Sequence, residues 1–381
     1  MTAISERVSE PTEQQAAVKR VSQSVFDGSL LRVVLLVNVY DGAQQQFLEA
    51  YEEMCKQVAS VSGHVSDQLC QSIENPSQWL ITSEWESAPP FLAWVNSEEH
   101  VKMVQPMHSC IRDTRSLRFH IVRETGHTEV GAASAERRLQ DAPRIGDGVI
   151  RHALTFTVKP GSERKVAQIL ADYEPPEANV DGTTRLCRTS LFMHGNRVVR
   201  AIEVRGDLLA ALRHVAQQPQ IRKVEEDLNP YLEQDRDLND PESARVFFTL
   251  AALPAVHHVT ADQESPEAER HALYYPARQG MGMKLAELLS HQDERAAADP
   301  HSPVLRSTVF ERDDVVVRLI DIRGGLDADP AAALGLVDAA KVSELTGLLD
   351  AGAAEKDSDL ARLLTLARMD LITDRRSAPD A

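Results

Sequence analysis

The chain has 381 residues with 58 Asp and Glu against 41 Lys and Arg, a formal net charge of −17. The acidic residues are spread along its length, so a nucleic acid or an anionic membrane would be repelled over most of the surface and neither is expected as a partner. No apolar run approaches the ~20 residues that span a bilayer, residues 1–15 lack the apolar segment of a secretory signal, and Cys55, Cys70, Cys110 and Cys187 lack metal or disulfide spacing.

A soluble, cytoplasmic protein of about two to four domains is therefore expected, with reduced thiols serving as small core residues. Residues 1–28 hold too little apolar content to fold alone. A β-rich apolar run follows at 31–40 and ends in the turn signal Asp41-Gly42. Over 43–58, Phe47, Tyr51, Met54, Cys55 and Val58 recur at helical spacing. Gly63 precedes a strand to 73, and Asn75-Pro76 turns the chain into another over 79–86. One helix is predicted over 90–110 and a last strand over 116–122. Strand, helix, strand, strand, helix, strand is the ferredoxin-like order, with the first and third strands central and both helices on one face.

The order recurs because the sequence recurs. Arg151-His152-Ala153-Leu154 reappears as Arg270-His271-Ala272-Leu273, an offset of 119, which also places Gly161 on Gly280 and Lys165 on Lys284. At an offset of 118 the segment LCRTSLF (186–192) falls on VLRSTVF (304–310), and VVRAIEVRG (198–206) on VVRLIDIRG (316–324). The first third obeys the same spacing more in pattern than in identity, with Arg32, Gly42 and Glu84 each 119 before Arg151, Gly161 and Glu203. The expected fold is α+β: three tandem ferredoxin-like βαββαβ units with antiparallel sheets, at 29–124, 148–258 and 268–373. A polar linker is expected at 125–147, a shorter acidic one at 260–269, and a disordered tail at 374–381. Such units leave one sheet face uncovered, so the second and third are expected to pair with each other and the first with another chain, giving a homodimer.

Ser83-Glu84-Trp85-Glu86-Ser87, followed by Phe91-Leu92-Ala93-Trp94 and Ser97-Glu98-Glu99-His100, makes the first unit resemble the antibiotic-biosynthesis monooxygenase (ABM) family of dimeric α+β barrels. The repeated segments make the other two resemble the SchA/CurD-like domain, found in gene products tied to aromatic polyketide and spore-pigment assembly. The resemblance implies a cofactor-independent oxygenase that uses O₂ on a phenolic polycycle. Trp85 matches a site residue of the quinone-forming members, whereas Ile81, Phe91 and Cys70 stand where or near where they carry Asn, Tyr and His. Trp94 matches the Trp of haem-degrading relatives, with Val104 where their His would fall.

Such chemistry requires an apolar slot for flat rings, one base, and donors aimed at an anionic oxygen, with water excluded. The slot is expected between sheet and helices. Strand alternation puts His152 on one face with Leu154, Phe156 and Val158, and its twin His271 with Leu273 and Tyr275. Arg200 shares a face with Val198 and Ile202, and Arg318 with Val316 and Ile320. His152 as base and Arg200 as oxyanion donor, with Trp85, are the expected catalytic set; Phe156, Ile202, Phe91, Trp94, Arg188, Arg306, His271 and Arg318 are the expected substrate contacts. The plainer alternatives are structural: hydrogen-bonded histidines, Arg200 and Arg318 paired with Glu203 and Asp321, Arg188 and Arg306 in surface ion pairs, and core tryptophans. His194, His257 and His258 are expected in turns or linkers. No metal, flavin, nicotinamide or ATP motif is present, so no cofactor is expected. The resemblance implies a small aromatic polyketide and O₂ as partners; a non-catalytic polyketide-binding scaffold, or a cyclase or aromatase, is the alternative function.

Overall fold

A computed structural model describes residues 21–122, 146–261, 265, 267–350 and 360–377. Most of the expected linker at 125–147, the first 20 residues and the last four lie outside the described residues.

After the short β1 (Ser22–Ser24), the strands β2 (Leu31–Val39), β3 (His64–Gln71), β4 (Gln78–Trp85) and β5 (Ile111–His120) form a four-stranded antiparallel sheet in the order β3-β4-β2-β5. The helix Gln44–Val58 buries Phe47, Tyr51 and Val58 against it. The single helix expected over 90–110 is instead two, Ala88–Val95 and Glu98–His108. Ser97 is the reason: it is extended, and its hydroxyl accepts from the His100 backbone N–H at 3.1 Å, starting a new helix with Glu98 and Glu99 in its first turn.

The next strands are β6 (Val149–Thr157), β7 (Arg185–His194), β8 (Arg197–Arg205), β9 (Ala252–Thr260), β10 (Glu269–Pro276), β11 (Val304–Arg312), β12 (Val315–Ile322) and β13 (Asp370–Arg376). They follow one path, β10-β12-β11-β9-β6-β8-β7-β13, in which β9-β6-β8-β7 repeats the strand order of the first sheet. The path closes on itself. A bridge joins Leu273 to Arg368, and the Met369 N–H donates to the Ala272 carbonyl at 3.0 Å, which brings the entry to β13 back against β10. A core cluster of Ala153, Phe192, Val199, Leu253, Ala272, Phe310, Val317 and Met369 draws on strands all around this ring and fills its interior.

Outside the ring, helix Pro219–Leu228 packs on β6 and β8 through Val224 and Leu228, and helix Gly282–Ala298 packs on β10, β11 and β12 through Leu285 and Leu289. Gly206 ends β8 at φ 90°, and a Cβ there would lie 2.5 Å from the Thr183 carbonyl oxygen; its repeat partner Gly324 has φ 77°.

Several expectations at the segment ends are corrected. Residues 21–28 are ordered by pairing, since β1 ladders with His257–Val259 of β9 and Val25 and Phe26 pack on the neighbouring core. Likewise β13 runs to Arg376, and Asp374 is held by Arg188. His257 and His258 lie within β9 rather than in a linker. Cys110 is buried but Cys70 is exposed, so the thiols are not uniformly core residues.

Candidate functional site

Three of the expected residues come together on the helix side of the first sheet. Trp85, at the end of β4, is fully buried, stacked on Trp94 at 5.3 Å between ring centroids and met edge-on by Phe91 at 5.5 Å. Two histidines absent from the expected set complete the group. His64 meets Trp85 edge-on at 5.2 Å, and His100 meets Trp94 edge-on at 4.4 Å. His64 Nε2 lies 2.8 Å from Asp67 Oδ2, and burial pushes the Asp67 carboxyl up while His64 pulls it back. His100 is held below the ordinary imidazole range mainly by burial, which keeps it neutral at pH 7.

The indole N–H of Trp85 already donates to Ser83 Oγ at 2.9 Å, so it is not available to a ligand. Trp94 Nε1 and His100 Nδ1 differ: both are buried and make no hydrogen bond of ordinary geometry, the Val95 backbone alone acting on His100 to raise its pKa against the larger effect of burial. A buried donor or acceptor left unpaired costs about 1–3 kcal/mol, so this pair of rings is poised for a polar group of something else. Both residues stood in the resemblance motif, Trp94 in the helix after β4 and His100 just past the Ser97 cap, but only the helix break revealed that they meet.

The expected pair in the second unit is arranged otherwise. His152 lies on the face of β6 that carries Leu154 and Phe156 toward the helices, and burial, aided by the charge of Arg312, lowers its pKa to about 4. Its neighbour Arg200 donates to Glu225 at 2.9 Å, and Glu225 also receives Arg236 at 2.8 Å; one buried N–H of Arg200, Nε, has no acceptor. Arg318 is fully buried, held by Asp293 at 2.6 Å and by the Ala333 carbonyl at 2.6 Å. The expected partners Glu203 and Asp321 are thus replaced by helix carboxylates, because alternation sends Glu203 and Asp321 to the opposite face. His271 sits 3.4 Å from Glu269 with its pKa lowered by burial, and Ile202 is core.

Arg188 and Arg306 are in neither the expected slot nor surface pairs. Arg188 lies buried inside the closed sheet and Arg306, with 31% of its side chain exposed, at its rim, past register shifts between Leu186 and Arg188 and between Val304 and Arg306. Arg188 binds Asp374 at 2.6 Å and Asp321 at 3.3 Å; Arg270 binds Asp321 at 2.7 Å and Glu203 at 2.8 Å; Arg306 stands 3.7 Å from both Glu203 and Asp321; Arg151 binds Asp147 at 2.5 Å. His258 Nδ1 lies 2.8 Å from Thr308 Oγ1, its pKa pushed well down by burial and by Arg151 and Arg306. The repeat is explained here: Arg151 and Arg270, Arg188 and Arg306, Glu203 and Asp321, and Ser190 and Thr308 are equivalent positions that build one buried network. It lies at one end of the ring, where its arginines meet their carboxylates within the chain.

Phe156 lines a cavity of about 220 Å³ at the other end, together with Thr155, Arg197, Phe247, Leu253 and Arg312. Among the described residues, no group of three His, Cys, Asp or Glu side chains is placed to share a metal ion, and no helix is long and apolar enough to cross a membrane.

The chain thus carries two kinds of recognisable unit. The family model for antibiotic biosynthesis monooxygenases matches residues 30–106, and that for the SchA/CurD-like domain matches residues 149–261. "Polyketide synthase CurD" of Streptomyces cyaneus is 61% identical over 364 residues, covering 94% of this chain and 98% of that protein. The "42.8 kDa protein in whiE locus" of Streptomyces coelicolor is 58% identical, covering 94% and 91% respectively. SnoaB, a cofactor-independent oxygenase from Streptomyces nogalater, aligns over 26% of this chain and 99% of its own at 14% identity and a TM-score of 0.25. The chain belongs to the SchA/CurD family, with an ABM domain preceding the SchA/CurD-like part.

Proposed function

We propose that the protein is a cofactor-independent oxygenase that tailors a polycyclic aromatic polyketide, with its site at Trp94 and His100 in the first unit. The single observation that carries this reading is the pair of buried ring nitrogens without a hydrogen bond of ordinary geometry, beside the Trp85 and Phe91 rings and inside the segment matched by the monooxygenase model. Membership beside a protein named polyketide synthase supports the substrate class.

On this reading His100, neutral at pH 7, takes a proton from an anthrone-type carbon, and Trp94 Nε1–H donates to the oxygen where the enolate charge collects. Phe91 and Trp85 pack on the flat rings. The enolate passes an electron to O₂, the radicals combine to a peroxide, the proton returns from His100, and loss of water leaves the quinone. One oxygen atom ends in product and one in water, so O₂ alone balances the oxidation. His64 and Asp67 hold Trp85 from behind.

We further read the closed eight-stranded ring as two ferredoxin-like units paired within the chain, a barrel of the dimeric α+β kind. The first sheet, of the same strand order, would pair with that of a second copy. A scaffold, cyclase or aromatase would use the same contacts without O₂. The test is oxygen uptake with 1,8-dihydroxyanthrone and no additive. Consumption above the protein-free rate that is lost in both His100→Gln and Trp94→Phe is expected; uptake unchanged in both variants removes the site.

A further inference from the structure

The two ends of the closed sheet differ in how they treat arginine. At the network end Arg151, Arg188, Arg270 and Arg306 each have a carboxylate within 4 Å. At the other end Arg197 has none among the described residues: it donates to Thr155 Oγ1 at 3.1 Å and lies 5.3 Å over the Tyr274 ring, beside the cavity. Arg312, also lining it, is tied to the Thr249 and Ala252 carbonyls and to Asp313 at 3.1 Å.

The repeat shows that this end has been altered. Arg197 falls on Val315, Thr155 on Tyr274, and Arg312 on His194, whereas the network positions keep their chemistry. Around the Tyr274 side the space is filled: His194 packs on Tyr274 at 5.4 Å, its Nδ1 lies 3.0 Å from the Arg368 carbonyl oxygen, and Met369 enters the interior core. On the Arg197 side, Ala251 and Ala252 leave the cavity, with Phe156 and Phe247 along one wall.

The geometry points to a second binding site here, for a planar aryl carboxylate whose acid group pairs with Arg197 and whose ring lies against Phe156 and Phe247. A fixed planar guanidinium suits a carboxylate bidentately. The volume of about 220 Å³ fits one or two rings, or the acid-bearing end of a larger molecule reaching in from outside. The site belongs to a different sheet from His100, so the two assignments fail separately.

The experiment is calorimetric titration of the full chain with 2-naphthoate, with 2-naphthamide as the neutral control. Saturable 1:1 binding of the acid is expected, with the amide at least tenfold weaker. Arg197→Gln and Phe247→Ala should each weaken the acid at least tenfold, while Arg164→Gln, on an exposed helix face, should leave it unchanged. Arg197→Lys, which keeps the charge, guards against a folding defect and should fall between wild type and Arg197→Gln. Displacement of naphthoate by equimolar inorganic phosphate would mark a general anion site and overturn the aryl assignment. Absence of saturable binding, or Arg197→Gln within twofold of wild type, would overturn the site altogether.

Discussion

The helix-facing layer of the first unit and that of the third bury polar groups in opposite ways. In the third, the Arg318 guanidinium is wholly enclosed and its charge is met by Asp293, itself bonded to Ser307 at 2.6 Å. At the corresponding position 119 residues before Arg200, the first unit has Ile81, a core residue, and two of its buried polar atoms, Trp94 Nε1 and His100 Nδ1, are uncharged and unmatched. A charged group buried with its counterion is part of the fold. A neutral donor buried without an acceptor is a cost that a ligand can relieve, which is why the weaker polar groups make the better candidate site.

Four measurements sharpen or break this contrast. The largest effect is expected on the first-unit side: His100→Gln should lower oxygen uptake with the anthrone by at least about 10²-fold, the ordinary contribution of a positioned base. Loss confined to a raised half-saturation concentration would make His100 a binding residue instead. On the third-unit side, Arg318→Met leaves Asp293 buried and uncompensated and should cost about 3–5 kcal/mol in urea unfolding. Pairing it with Asp293→Leu should recover part of that loss; no recovery would show that the arginine acts by packing alone.

A smaller effect is expected from Arg200→Gln, which on the present reading lowers stability without changing oxygen uptake, because Glu225 keeps Arg236. A selective fall in rate would return the second unit to the catalytic account. The smallest concerns Glu311, whose buried carboxyl beside Asp313 and Asp314 is pushed up from its ordinary 4.5 to about 7. The unfolded chain releases that proton first, so this group's contribution to stability falls as pH rises from 4.5 to about 7 and is steady above. Melting curves across that window should fall more steeply for the wild type than for Glu311→Gln; parallel curves would contradict the assignment.

Much of the strand order was legible in the sequence, since the repeat fixed which strands correspond and apolar alternation fixed their faces. Partner choice was not. The structural alternative pairs Arg200 and Arg318 with Glu203 and Asp321, each three residues on, yet such residues point to opposite faces of a strand, and the partners Glu225 and Asp293 come from helices whose placement no local pattern gives. Arg188 and Arg306 were hidden by register shifts that turn them into the ring. The first-unit site was half legible: Trp85, Phe91 and Trp94 stood in a motif, but His64 and His100 gained meaning only when strand pairing set His64 opposite Trp85 and the Ser97 cap turned His100 onto Trp94.

On the proposed function, a first-unit site drives oxygen chemistry without help from any added cofactor. Oxygen-electrode traces of wild type and Trp94→Phe with 1,8-dihydroxyanthrone, in chelator-treated buffer, test it directly. Uptake of one O₂ per quinone formed is expected for the wild type, with a fall of at least tenfold in the variant; equal rates, or product formed without O₂ consumption, would rule the site out.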